Sequence, residues 1–258
     1  MTTALITGAS AGIGAAIAHR LLAEGARIIA CARRVEPLRQ LAEQFPGRVL
    51  PLQFDVADRD AVRRAVDGSP AEFADIDVLV NNAGVALGLT PAHQADIDDW
   101  EQMIATNCTG LVHLTRRVLP GMVERGRGTV VNLGSVAGEF PYPGGNVYGA
   151  TKAFVHQFTQ NLNADLIGTG VRATCIEPGL CGGTEFSSVR FGGDVQRAAA
   201  VYEGTTPLSA QDVADVVAWA VMRPAHVTIN VVSMMPNCQS FSGLAVRRCV
   251  QPTEERRP

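Results

Sequence analysis

The 258-residue sequence predicts an α/β fold with a parallel, doubly wound sheet. Three observations predict it. Seven short runs (4–7, 27–31, 49–53, 78–81, 129–133, 172–176 and 228–232) are almost continuously apolar or β-branched, as strands covered on both faces must be. Amphipathic stretches at 13–24, 36–44, 57–66, 100–125, 147–167 and 210–222 fall between them, so strand and helix patterns alternate and right-handed βαβ units follow. No internal repeat, low-complexity tract or interdomain linker breaks the alternation, so 1–250 reads as one domain, followed by a polar, frayed tail at 251–258.

Composition narrows the class. Hydrophobic residues make up 47% and charged residues 18%, a globular balance. The net charge of -3, without a basic run, argues against nucleic acid or an anionic membrane surface as partner. No window of about 18 uncharged apolar residues offers a membrane span, and the first residues lack the basic and apolar regions of a signal peptide. The six cysteines (Cys31, Cys108, Cys175, Cys181, Cys238 and Cys249) form no CxxC pair and read as reduced thiols of a cytoplasmic protein. The five histidines are dispersed, with no HxxxH or Cys/His cluster, so no metal site is expected.

Taken in chain order, the elements carry a chemistry. The first strand ends in Thr7-Gly8-Ala9-Ser10-Ala11-Gly12-Ile13-Gly14 and a helix follows. Glycines allow a tight turn that brings backbone N–H groups to a phosphate, and the helix N-terminus adds partial positive charge. Dinucleotide binding is the reading; a plain tight βα turn is the alternative. The second strand runs into Ala30-Cys31-Ala32-Arg33-Arg34, where an NAD site would offer Asp or Glu for the ribose hydroxyls. Two guanidinium groups at that point suit a 2′-phosphate, so NADP(H) is the predicted cofactor, unless both arginines only solvate the next helix. Asp55, after the third strand, could accept from an adenine amino group or cap the following helix. Asn81-Asn82-Ala83-Gly84 after the fourth strand either lines the nucleotide cleft or forms a simple turn.

The 147–167 helix places Tyr148 and Lys152 on one face, one turn apart. A phenol with a pKa near 10 is idle at neutral pH; an adjacent ammonium is expected to lower it and let the pair exchange a proton with a substrate oxygen, the bland alternative being a tyrosine on a half-buried helix at a spacing common by chance. The looser 178–204 stretch, before the last clear helix, is either a lid or an ordinary surface connection.

With these residues in this order, together with Ser135 and Pro178-Gly179, the whole chain resembles the short-chain dehydrogenase/reductase family. The resemblance implies a single Rossmann-like domain with a seven-stranded parallel sheet and a catalytic set that falls on Asn107, Ser135, Tyr148 and Lys152. Tyr148 would exchange the proton, Lys152 would lower its pKa and hold the nicotinamide ribose, Ser135 would orient the reacting oxygen, and Asn107 would hold a water linking Lys152 to solvent. Helix capping by Ser135 and plugging of a helix distortion by Asn107 are the bland alternatives. Nucleotide contacts are expected from Gly8, Ala9, Ser10, Ala11, Gly12, Ile13, Gly14, Arg33, Arg34, Asp55, Val56, Asn82, Ala83, Gly84, Tyr148 and Lys152, and from Pro178, Gly179, Leu180, Thr184 and Phe186.

Within the family, the run from Glu177 to Phe191 and the segments 141–146, 224–227 and 234–236 resemble the NADP-dependent 3-hydroxy acid dehydrogenases, which include L-allo-threonine and serine dehydrogenases and malonic semialdehyde reductase. Cys238 and residues 247–258 depart from that group. The likeness implies oxidation of the 3-hydroxyl of a small 3-hydroxy acid, or the reverse reduction, with Ser135, Tyr148 and Gly179 around the substrate and a homotetramer as the assembly. Arg190 is the candidate clamp for the substrate carboxylate; a surface arginine or a pair with Glu185 is the alternative. Reduction of a bulkier ketone, sugar or acyl thioester, and NADP sensing without turnover, are the competing functions.

Overall fold

The structure, a computed structural model, describes residues 2–241. The predicted tail at 251–258 and the end of the predicted domain lie outside the described residues. Seven strands form one parallel sheet: β1 Thr3–Thr7, β2 Arg27–Ala32, β3 Val49–Gln53, β4 Val78–Asn81, β5 Gly128–Leu133, β6 Val171–Pro178 and β7 Val231–Met234. Their order is β3-β2-β1-β4-β5-β6-β7. The helices are α1 Gly12–Ala23, α2 Glu36–Gln44, α3 Arg59–Asp67, the single turn α4 Ala71–Ala74, α5 Ile97–Ile104, α6 Leu111–Glu124, α7 Asn146–Asp165, α8 Phe186–Arg190, α9 Val195–Ala200 and α10 Ala210–Val221. None of the described helices is long and apolar enough to cross a membrane.

Both sheet faces are buried, which explains the unbroken apolar strands. Adjacent strand residues point to opposite sides. Ile6, Ile28, Val80 and Val131 pack with Ile17, Leu21, Val213 and Val217 of α1 and α10. Their neighbours Leu5, Ile29, Leu79 and Val130 pack with Leu114, Val118, Met122 and Leu162 of α6 and α7. Each aliphatic side chain so buried contributes about 1.5–3 kcal/mol. The strand order reverses direction at β1, whose neighbours are β2 and β4. The carboxyl ends of β1 and β4 therefore flank a crevice, the place where doubly wound sheets bind ligands.

Three predicted elements differ from the fold. The 100–125 helix is two helices joined by a π-helical turn at Ala105–Gly110. Asn107 ties that turn to both the N–H and the carbonyl of Val85, and Gly110 sits against Val56 so closely that a Cβ would lie 2.8 Å from its Cγ2. The last strand starts at Val231, not at 228. Buried Arg172 explains the shift: its guanidinium takes the carbonyls of Val221, Arg223, Pro224 and Val227, holding that stretch as a loop. The 178–204 stretch is more ordered than predicted and carries α8 and α9. Asp58, and not Asp55, caps α3, accepting from the N–H groups of Asp60 and Ala61.

Candidate active site

A cleft of about 610 Å³ opens over the carboxyl ends of the strands. Its first wall is the glycine turn. Gly8 has a φ of +66° and faces Asn82, whose Nδ2 would be 2.8 Å from a Cβ. That conformation and that contact both require glycine. Thr7 Oγ1 accepts from the N–H groups of Asn82 and Ala83, and Asn82 Nδ2 donates to the Thr7 carbonyl at 2.8 Å. The β4 end is thereby locked to the β1 turn. Gly8, Ser10, Ala11, Gly12 and Ile13 line the cleft, as do Asn82, Ala83 and Gly84. Ala9 is buried behind them, and Gly14 closes α1 onto the turn, where a Cβ would come within 2.3 Å of the Gly8 carbonyl oxygen. Ala11 gives α1 no side-chain cap, leaving first-turn N–H groups for an anion.

Arg33 and Arg34 stand exposed at the cleft edge. Arg34 grips Glu185 with both Nη atoms, at 3.0 and 2.5 Å, and reaches Ser10 Oγ at 3.4 Å. Glu185 is therefore the partner of Arg34, not of Arg190. Asp55 Oδ1 accepts from the Ala57 N–H, and Val56 is packed under Gly110; neither lines the cleft.

The reactive groups meet at the floor. Ser135 follows β5, where its Oγ accepts from the Ala137 N–H and donates to the Pro178 carbonyl at 3.3 Å. Tyr148 and Lys152 are buried on α7 and both line the cleft. Lys152 Nζ donates to the Leu133 carbonyl at 2.7 Å and lies 5.8 Å from the Tyr148 ring centre. Burial pushes the Tyr148 phenol up to about 12, against the lowering pull of Ser135 and of the Arg190 cation. Burial also brings the Lys152 ammonium down to about 8. Burial therefore works against the acidification expected from the lysine, whose hydrogen bond goes to the strand end. The pair is thus poised as neutral phenol and ammonium near neutral pH.

Asn107 is 2% exposed and sits behind the cleft wall. Its Oδ1 accepts from the Val85 N–H, and its Nδ2 donates to the Val85 carbonyl and to Thr151 Oγ1. Both amide hydrogens are thus taken up by protein partners. Gly84 faces both groups: a Cβ there would lie 3.3 Å from Asn107 Oδ1 and 3.5 Å from Lys152 Nζ.

The segment after β6 forms the outer wall. Pro178, Gly179, Leu180, Thr184 and Phe186 line the cleft, Thr184 lies across it against Gly12, and the Phe186 ring is 5.8 Å from that of Tyr148. Arg190 ends α8. Its Nε donates to the Gly88 carbonyl at 3.1 Å and its Nη2 to Tyr142 Oη at 2.8 Å. Its guanidinium carbon lies 5.5 Å from the Tyr142 ring and 5.6 Å from the Tyr148 ring. Several lining residues went unassigned from sequence, among them Tyr142, Glu185 and Gln239, whose Oε1 accepts from the Leu180 N–H at 2.6 Å. Tyr142 and Gln239 come from segments distant from the rest of that wall, with no local spacing to mark them.

Comparison with known proteins agrees with this geometry. Residues 2–191 match the short chain dehydrogenase family. The chain is 57% identical over 244 residues to the NADP-dependent 3-hydroxy acid dehydrogenase YdfG of Salmonella typhi, covering 95% of this chain and 98% of that one. It is 47% identical over 246 residues to the serine 3-dehydrogenase of Rhizobium radiobacter, again covering 95% and 98%. Among solved structures, the closed form of a serine dehydrogenase complexed with NADP+ superposes with a TM-score of 0.95 at 52% identity, covering 96% of this chain and 100% of that one. Serine dehydrogenase from Escherichia coli gives 0.82 at 48%, covering 93% and 100%.

Proposed function

The chain belongs to the short-chain dehydrogenase family, and we propose that it is an NADP-dependent enzyme oxidising the 3-hydroxyl of a small 3-hydroxy acid. Serine, allo-threonine, 3-hydroxypropionate and 3-hydroxyisobutyrate are the substrate types, and the reverse reaction reduces the corresponding 3-oxo acid or semialdehyde. Relatives named as a 3-hydroxy acid dehydrogenase and a serine 3-dehydrogenase cover nearly the whole chain. The cleft residues fit the dinucleotide: a turn that only glycine can make, an uncapped helix start and two arginines at the β2 end. When bound, the nicotinamide supplies the hydride acceptor or donor.

The chain's own residues supply the rest. Gly8, Ser10, Ala11, Gly12 and Ile13 cradle the pyrophosphate. Arg33 and Arg34 would hold the 2′-phosphate. Asn82 to Gly84 and the wall of Pro178, Gly179, Leu180, Thr184 and Phe186 enclose the rest, while Ala9, Gly14, Asp55 and Val56 hold the frame behind. Tyr148 gives its proton to the carbonyl oxygen in reduction and takes one from the hydroxyl in oxidation. Ser135 donates a hydrogen bond to the same oxygen. Lys152 offers a positive charge that favours phenolate as the proton leaves. Asn107 is a positioning residue that fixes the π-turn beside Lys152.

One observation carries the substrate class. The Arg190 guanidinium lies 5.6 Å from the Tyr148 ring. Among the described residues, Nη1 and the second Nη2 hydrogen have no hydrogen-bond partner and remain for a carboxylate. That spacing suits an acid with few carbons between carboxylate and hydroxyl. The test is NADP+ reduction with serine, both threonine diastereomers, 3-hydroxyisobutyrate and 3-hydroxypropionate. Turnover of at least one of these well above that of 1-propanol supports the reading; turnover of bulky alcohols alone overturns it.

A cytoplasmic homotetramer completes the proposal. Exposed apolar side chains on α5 and α7, Ile104 and Phe154, offer surface for association, and the described cysteines are all free thiols. Light scattering is expected to give four times the mass of one chain; a monomer at micromolar concentration contradicts it.

A further inference from the structure

Next to the reactive lysine lies a cluster that the proposed chemistry does not use. His156 follows Lys152 by one turn on α7. Cys175 and Glu177 are two apart on β6 and so share a face. Cys175 is fully buried and Glu177 is 2% exposed. The Glu177 carboxylate has no lysine or arginine in ion-pair range among the described residues; its partner is His156, with Nδ1 and Oε1 2.6 Å apart. Cys175 Sγ lies 3.5 Å from the same oxygen. The three ligand-capable atoms are all within 4.8 Å of one another. Nineteen and two residues separate them in sequence, a spacing no metal motif would flag.

We propose that His156, Cys175 and Glu177 form a binding site for a thiophilic divalent cation of the zinc class, with a solvent water as fourth ligand. One imidazole, one thiolate and one carboxylate make the mixed donor set that zinc accepts, whereas magnesium and calcium call for oxygen ligands. Bonds of about 2.0–2.3 Å in a tetrahedron hold ligand atoms roughly 3.3–3.8 Å apart. The sulfur–oxygen separation already matches. The histidine–glutamate contact has to open by about 1 Å on that geometry, and the His156 side chain, 38% exposed, has room to swing. The same exposure gives the ion and its water an entry path. Binding releases the thiol proton of Cys175 and any proton on His156 Nδ1 to solvent, and the dication is then neutralised by thiolate and carboxylate. Affinity therefore falls as pH drops.

The site does not depend on the dehydrogenase reading and is tested without turnover. The full-length chain, stripped with EDTA and dialysed, is titrated with Co²⁺ alone and then with Zn²⁺. One equivalent of Co²⁺ is expected, with sulfur-to-cobalt absorption in the near ultraviolet that Zn²⁺ displaces. Cys175→Ser is expected to remove that absorption, and His156→Ala to weaken Co²⁺ binding by more than the roughly 10–100-fold typical for loss of an outer-sphere partner. Cys238→Ser is expected to change neither. Wild type without the sulfur band, a band that persists in Cys175→Ser, or full affinity in His156→Ala overturns the proposal. If Cys175→Ser does not fold, the half-exposed His156→Ala variant decides.

Discussion

The two ends of the cleft are built differently. At the nucleotide end, the shape comes from a positive-φ glycine and a strand-to-helix turn, pinned by the Thr7 and Asn82 side chains bonding to main-chain groups. At the substrate end, it comes from side chains drawn from far apart: Arg190 reaches Gly88 and Tyr142, and Gln239 reaches Leu180. The first kind of site follows from local spacing and tolerates few changes. The second depends on tertiary packing, so its specificity can change by single substitutions without disturbing the fold.

That contrast can be broken from either end. The largest effect is expected at the nucleotide end: Arg33→Asp replaces the guanidinium proposed to bind the 2′-phosphate by a carboxylate that repels it, and kcat/KM with NADPH should fall roughly 10²–10³-fold, with NADH gaining relative to it. Equal use of both cofactors by the wild type would remove the basis for that prediction. At the substrate end, Arg190→Met should raise KM for serine or 3-hydroxypropionate roughly 10–10²-fold, by loss of a charge-assisted contact, while leaving an uncharged alcohol nearly unaffected. An equal change for both would make Arg190 a packing residue. A smaller effect follows from protonation. The Tyr148 phenol is raised to about 12, so the base form needed for oxidation is scarce at neutral pH and grows with pH. Oxidation should therefore accelerate by up to about tenfold per pH unit above neutrality, while the phenol needed for reduction persists. Lys152, lowered to about 8, loses its proton above that pH and should bend the oxidation profile there. An oxidation rate that is flat from pH 7 to 9 contradicts this.

The same division explains what could be read in advance. The sheet, its parallel order and most helix limits were legible, because apolar runs with both faces buried leave a plain pattern. β7 was misplaced because the carbonyls of 221–227 answer to buried Arg172, a tertiary contact. The break after α5 was hidden because residues 100–125 keep a helical pattern through the π-turn that Asn107 ties down. Tyr148, Lys152 and the glycine turn announced themselves by spacing. Tyr142 and Gln239 did not, since each reaches the cleft only through folding, and the Arg34–Glu185 pair is likewise a tertiary contact. The burial of Tyr148 was hidden for a related reason: spacing puts a cation nearby, but only the structure shows the desolvation that opposes it.

The most direct measurement compares wild type with Tyr148→Phe in two assays at once, NADPH affinity by fluorescence and single-turnover oxidation of the preferred 3-hydroxy acid with NADP+. Unchanged affinity with turnover reduced by about 10²–10⁴-fold is the predicted result. Turnover within a few-fold of wild type would show that another group moves the proton and that the floor of this cleft has been misassigned.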